Sequence, residues 1–331
     1  MGNLLPLPAI VGPTAVGKTA VSLPVAEALP AEILSCDSRQ VYRGMDIGTA
    51  KPTAADRTRI THHGLDLANP HDHFTAADFG KAARKAAAFC FERAVWPLVV
   101  GGSGLYLRAL AEGLFPGPSS DPDLRAGLRA EAEAQGRPAL HARLAAVDPE
   151  AAEAIHPHDL VRIVRALEVY ELTGEPISCM QRRAAETPGP FRLVAVGLVR
   201  PRAALAERIA ARVEAMIDAG LAEEVSSLLE AGYGPELPAL QGIGYRQMAE
   251  HLAGTCTIEE AQADIMRETR RYAKRQMTWF RKLPSIEWVE ASDDVEADAS
   301  AVLTSLRRRL PSLPSSGWAR IIQEEVTTGG G

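Results

Sequence analysis

Gly12-Pro13-Thr14-Ala15-Val16-Gly17-Lys18-Thr19 follows the apolar run Leu7, Ala9, Ile10, Val11 and precedes a helical-looking stretch from Ala20 to Leu29. The octet fits the phosphate-loop pattern GxxxxGK[ST] in its required strand-to-helix context. Glycines at both ends let successive backbone N–H groups curl around phosphate oxygens. Lys18 supplies a point charge, Thr19 offers a hydroxyl to Mg²⁺, and the helix that follows presents its positive N-terminus. A glycine turn that merely closed a strand would not need the Lys18 and Thr19 pair.

Outward from this loop, apolar strands alternate with helical stretches as far as about Leu114: Glu32 to Cys36 ending at Asp37, a helix from about Ala76 to Ala94, then Pro97 to Val100. The pattern predicts an α/β fold with a phosphate-loop NTPase-like parallel sheet, whose ligands sit outside the carboxyl ends of the strands. Gly12, Asp37 and Gly101-Gly102-Ser103 all lie at such ends and are expected to converge.

The run Pro116-Gly117-Pro118-Ser119-Ser120-Asp121-Pro122 breaks this pattern, and the chain then turns helical until Thr187-Pro188-Gly189-Pro190. One helix there spans Asp159 to Thr173 and stops at Gly174. Leu193 to Val199 reads as a strand returning to the sheet. A helix opened by Pro201 and closed by Gly220 follows, and later a long one from Ile258 to about Leu283. The expected division is a core over 1–118, an inserted helical lobe over 119–190, a continuation with C-terminal helices over 191–310, and a flexible tail over 311–331.

Composition sets the class. The chain has 331 residues, 46% hydrophobic and 24% charged, as in ordinary globular proteins. A formal net charge of −6 means that any nucleic-acid binding must come from a local patch. Such a patch runs from Arg267 to Lys282, where Arg267, Arg270, Arg271, Lys274, Arg275, Arg281 and Lys282 oppose only Glu268 and interleave with Tyr272, Trp279 and Phe280. Cys36, Cys90, Cys179 and Cys256 are scattered without a CxxC pair, which fits a reducing cytoplasm. No apolar run is long enough to span a membrane, no secretory leader precedes the first strand, and Pro6 stands where a myristoylation signal needs Ser or Thr. His62, His63, His71 and His73 with Asp72 match no closed metal-ligand set and read as loop histidines.

The strand Leu98-Val99-Val100 ends without the metal-holding acid of most phosphate-loop NTPases, leaving Asp37 as the carboxylate nearest the phosphates. From spacing, Asp37 is a metal ligand, an N-cap or a general base. Arg208 and Arg212 lie four apart on one helix face.

The segment Asp37-Ser38-Arg39-Gln40-Val41-Tyr42-Arg43-Gly44-Met45-Asp46-Ile47-Gly48-Thr49-Ala50-Lys51-Pro52 closely resembles the signature after the phosphate loop in tRNA dimethylallyltransferases, the bacterial tRNA isopentenyltransferase family. The resemblance continues through Val100 to Tyr106, Ser120-Asp121-Pro122, Arg162 to Glu168, Gly242 to Gln247 and Tyr272 to Arg281, in order along nearly the whole chain. It implies transfer of the dimethylallyl group of dimethylallyl diphosphate to the exocyclic amine of the adenosine immediately 3′ of the anticodon, with pyrophosphate leaving and Mg²⁺ as cofactor. The rival reading is a phosphate-loop small-molecule kinase.

By resemblance, Gly12, Pro13, Thr14, Ala15, Val16, Gly17, Lys18 and Thr19 cradle a diphosphate with the metal on Thr19. Asp37 is the general base, and Lys18, Ser103 and Arg212 complete the catalytic set, with Arg208 a further candidate. Ser103 stands where the family usually has Thr. Contacts with the tRNA anticodon stem-loop are implied for Asp37, Ser38, Arg39, Gln40, Ser103, Arg125, Val161, Arg162, Ile163, Val164, Arg165, Gln241, Gly242, Ile243, Gly244, Tyr245, Arg246, Arg271 and Arg275. A monomer in the cytoplasm, without membrane contact, is expected.

Overall fold

The computed structural model describes residues 4–115, 117–186 and 189–322. Six strands form one sheet: β1 (Leu5–Val11), β2 (Ala31–Cys36), β3 (His62–His63), β4 (Trp96–Gly101), β5 (Phe191–Val199) and β6 (Glu287–Glu290), in the order β3-β2-β4-β1-β5-β6. Every pairing is parallel. β1, β2 and β4 are buried at every residue, as expected of strands covered by helices on both faces. His62 and His63, expected in a loop, instead extend the sheet beside Ile33 and Leu34.

Four helices accompany the first strands: α1 (Lys18–Ala28), α2 (Ala54–Arg59), α3 (Ala76–Glu92) and α4 (Gly104–Ala111). Capping boxes at Thr53/Asp56 and Thr75/Asp78 start α2 and α3. After α5 (Pro122–Gln135), α6 (Arg137–Val147), α7 (Pro149–Ala154), α8 (Leu160–Thr173) and α9 (Ile177–Glu186), the sheet resumes. α10 (Arg202–Asp218), α11 (Leu221–Glu230), α12 (Tyr245–Leu252), α13 (Ile258–Phe280) and α14 (Val295–Arg309) follow. α8 starts on an Asp159 side-chain cap and ends on left-handed Gly174, as its sequence predicts.

The chain divides into two compact units. One comprises Met1–Glu112 with Pro190–Gly331; the other is Gly113–Gly189. The second unit thus begins before the expected 119, because Phe115 already packs on its core of Leu128, Leu140, Leu144, Ile163 and Leu167. Pro116, Thr187 and Pro188 of the expected breaks lie outside the described residues. The sheet unit has a separate core through β1, β2, β4 and β5.

The expected flexible tail needs correction over residues 318–322. Trp318 lies edge-on to Phe91 and tilted on Trp96, and Ala319 and Ile322 are buried in the sheet unit's core. An apolar Trp-Ala-Ile triplet at helical spacing has enough surface to hold that segment down. Residues 323–331 lie outside the description. Among the described residues no helix is long and apolar enough to cross a membrane.

Candidate active site

The phosphate loop leaves β1 through Gly12, whose φ of 147° puts it in glycine's territory; a Cβ there would meet Leu198 O at 2.6 Å. Gly17, at φ 114°, opens α1. Between them Ala15 is left-handed at φ 63°, a strained state that needs outside support. That support comes from distant arginines: Arg208 Nε donates to Ala15 O (3.0 Å) and Arg200 Nε to Val16 O (3.1 Å). Arg212 Nη1 donates to the Thr14 hydroxyl at 3.3 Å. Arg208, the weaker sequence candidate, therefore holds loop backbone, and Arg200 was not foreseen.

Lys18 Nζ donates to Gly12 O (3.0 Å) and Pro13 O (2.7 Å). Burial pushes its pKa down to about 7; Arg212 adds to the depression and Asp37 opposes it. Burial likewise lowers Arg212. Thr14, Lys18, Thr19, Asp37, Arg212 and Gln276 all line one cleft at the carboxyl ends of β1, β2 and β4, with roughly 560 Å³ of free space open to solvent. His62 lines it too; burial lowers its pKa, and Nδ1 faces Ile60 O at 2.7 Å.

Asp37 follows β2, and its Oδ1 accepts from Arg39 N at 2.9 Å. Ser103, at the end of β4, faces the same corner: its Oγ accepts from Ser38 N at 3.0 Å. Burial pushes the Tyr272 phenol up to about 12, with the Asp37 carboxylate adding to the rise and a hydrogen bond to Ser103 opposing it. Asp37, Ser103 and Tyr272 thus form one polar corner, which the sequence had marked through its first two members.

Hard oxygen donors share this cleft, namely the Thr19 hydroxyl and the Asp37 carboxylate, and such a set suits Mg²⁺. A different cluster lies behind β2 and β3. Glu32, His63 and Cys90 bring ligand atoms within 4.8 Å of one another. The Glu32 carboxylate is already engaged by His63 Nε2 (2.7 Å) and Arg93 (2.6 Å).

Several residues expected to touch RNA have partners within the protein. Ile163 and Val164 are core of the inserted unit, since the period of α8 aligns them with Leu160 and Leu167. Tyr245 is buried, its hydroxyl donating to Glu224 Oε1 at 2.6 Å. Gln40 is buried too, with Nε2 given to Thr49 O and Ala50 O, so both of its donors are committed. Arg125 and Arg165 neutralise the fully buried Glu168, at 2.7 and 2.5 Å. Arg39 holds Pro238 O and Ala239 O, Arg246 pairs with Glu250 and Asp264, and Gln241 donates to Pro235 O. Gly242 packs against Arg39, and Gly244, at φ 96°, turns the chain into α12 with Ile243 half-buried beside it.

Others stay available. Val161 is 79% exposed, beside the exposed Arg162 on the first turn of α8. On α13, Ala261, Ile265, Ala273, Gln276 and Phe280 face inward, while Arg270, Arg271, Lys274 and Arg275 face outward. Arg271 pairs with Glu268, and Arg275 lies over the Tyr272 ring. Phe280, expected as a stacking surface, is core.

A parallel sheet whose carboxyl edge gathers a glycine-rich loop, a carboxylate and arginines defines an α/β protein of the phosphate-loop NTPase-like kind. The chain belongs to the IPP transferase family, whose profile matches residues 40–283, while that described as isopentenyl transferase matches residues 6–66. It is 46% identical over 309 residues to a tRNA dimethylallyltransferase of Syntrophobacter fumaroxidans, covering 93% of this chain and 89% of the relative. Over 292 residues it is 47% identical to the tRNA dimethylallyltransferase of Geobacter metallireducens, covering 88% and 94%. The full-length tRNA isopentenylpyrophosphate transferase of Bacillus halodurans superposes with a TM-score of 0.66 at 39% identity, covering 92% of this chain and 98% of that one. A eukaryotic dimethylallyltransferase acting on tRNA shares the fold, with a TM-score of 0.75 at 24% identity and coverage of 98% and 85%.

Proposed function

We propose that this chain is a tRNA dimethylallyltransferase, moving the dimethylallyl group of dimethylallyl diphosphate to the exocyclic amine of the adenosine immediately 3′ of the anticodon. Family membership supports this over a small-molecule kinase. The observation that carries it is the cleft that Asp37, Lys18 and Arg212 line together, with the Asp37 carboxylate electrostatically coupled to both cations.

In the reaction, the bond from the allylic carbon to the diphosphate oxygen breaks as the new carbon–nitrogen bond forms. Lys18, Arg212 and the loop amides are preorganised cations and dipoles for the charge that grows on the departing pyrophosphate. Mg²⁺, held by the Thr19 hydroxyl, would supply further neutralisation there. An adenine amine is a weak nucleophile, its lone pair delocalised into the ring, so Asp37 takes its proton during attack. The base must leave its stack to reach this corner, and Ser103 with Tyr272 lines its place. Arg162, Arg271 and Arg275 supply phosphate contacts to the anticodon stem-loop, answering the net acidic charge with local basic surfaces. The enzyme acts as a cytoplasmic monomer.

The test incubates the protein with labelled dimethylallyl diphosphate and unmodified tRNA. Label entering the tRNA with release of pyrophosphate is the expected result. Phosphoryl transfer from ATP without tRNA labelling would overturn the reading in favour of a kinase.

A further inference from the structure

The arginines that hold the phosphate loop take its carbonyls or its Thr14 hydroxyl. Gln276 instead takes an N–H, the group by which such loops hold phosphate. Its Oε1 accepts from Thr14 N at 2.8 Å, and its Nε2 donates to Gly102 O at 3.0 Å. One partner is a donor and the other an acceptor, so the orientation of the amide is fixed. Gln276 is 6% exposed, and position 102 is shaped around it: a Cβ on Gly102 would lie 2.2 Å from Nε2. The amide thus ties the loop after β1 to the end of β4, one residue before Ser103.

Thr14 is where two restraints meet. Gln276 holds its N–H and Arg212 its hydroxyl. Displacing Thr14 would therefore move the loop amides and loosen the cation expected at the leaving group. Lys18, which bonds Gly12 O and Pro13 O, depends on the same backbone.

We propose that Gln276 is a positioning residue for the diphosphate. By withholding the Thr14 N–H from the ligand and anchoring it to Gly102, it decides which loop amides face the leaving group and how far they stand from the Asp37–Ser103 corner. The inference rests on the transfer reaction proposed above.

Gln276→Met keeps side-chain length and volume while removing both hydrogen bonds. The expected result, in protein that melts cooperatively, is a KM for dimethylallyl diphosphate raised about tenfold, with tRNA affinity within twofold of wild type. A purely structural role would lower the melting temperature and the active fraction and leave that KM alone. Gly102→Ala displaces the same amide by contact and is expected to raise KM similarly. The double variant should add little to either single change, because one linkage is being broken. If Gln276→Met fails to fold, Gly102→Ala is read alone. An unchanged KM in either folded variant, or fully additive effects, overturns the positioning role. Absence of transfer by the wild-type protein overturns the parent reading instead, so the two failures are distinguishable.

Discussion

At the level of single residues, Lys18 makes the sharpest prediction, because its pKa near 7 lies well below the ordinary 10.5. In the ligand-free protein it loses its proton as pH rises through neutrality, so diphosphate binding should weaken between about pH 7.5 and 9.5, by up to about tenfold per unit. Titration calorimetry across that range checks this, and Lys18→Arg should flatten the profile because a guanidinium stays charged. The folded state binds fewer protons than the unfolded one between about 7 and 10.5, so this lysine's contribution to stability rises with pH over that window. Asp37→Asn should lower turnover by about 10²-fold or more while tRNA and diphosphate affinities stay within a few-fold; near-normal turnover would remove Asp37 from the base role. These two residues were legible because each carries its own local mark, Lys18 inside the loop motif and Asp37 directly after the apolar strand β2. Gln276 and Arg200 were not, since their partners Thr14 and Val16 stand 262 and 184 positions away and no local pattern encodes that meeting.

At the level of elements, the sequence located the helices better than their faces. The basic character of α13 was plain, yet only folding shows that Phe280 and Gln276 turn inward while Arg271 and Arg275 turn outward. The same holds for α8, where a contiguous run from Val161 to Arg165 divides among solvent, core and the buried Glu168. Reversing charge at Arg271 and Arg275 together should weaken tRNA binding and reduce its salt dependence, each lost phosphate contact removing a share of counterion release. Dimethylallyl diphosphate binding should be unchanged. Wild-type salt slope and affinity in that variant would leave α13 an ordinary solvated face. In the loop, Gly12→Ala must clash with Leu198 O as well as adopt a positive φ, and a loss of about 1–3 kcal/mol in stability is expected from denaturant melts.

At the level of the whole molecule, two cores occupy one chain. Within the inserted unit, Glu168 is fully buried, which pushes its pKa up, but bonds accepted from Arg125, Arg165 and Asp121 N outweigh this and hold it below the usual carboxylate value. Glu168→Leu should strand two arginines at a cost on the order of 3 kcal/mol, somewhat less because both reach solvent. Hydrogen exchange should show the loss confined to residues 113–189, and uniform destabilisation across the sheet would contradict separate cores. The chain's order of synthesis gives this layout a further consequence. β5 pairs with β1 over seven residues in the interior of the sheet, but it leaves the ribosome only after the inserted unit has been made. At about 5–20 residues per second, the stretch from Val11 to Phe191 keeps one flank of β1 waiting roughly 9–36 s without its neighbour, a bare strand edge open to wrong partners. Nascent chains arrested shortly before Phe191 should therefore be the most aggregation-prone and the most dependent on chaperones, and extending them past Val199 should relieve both.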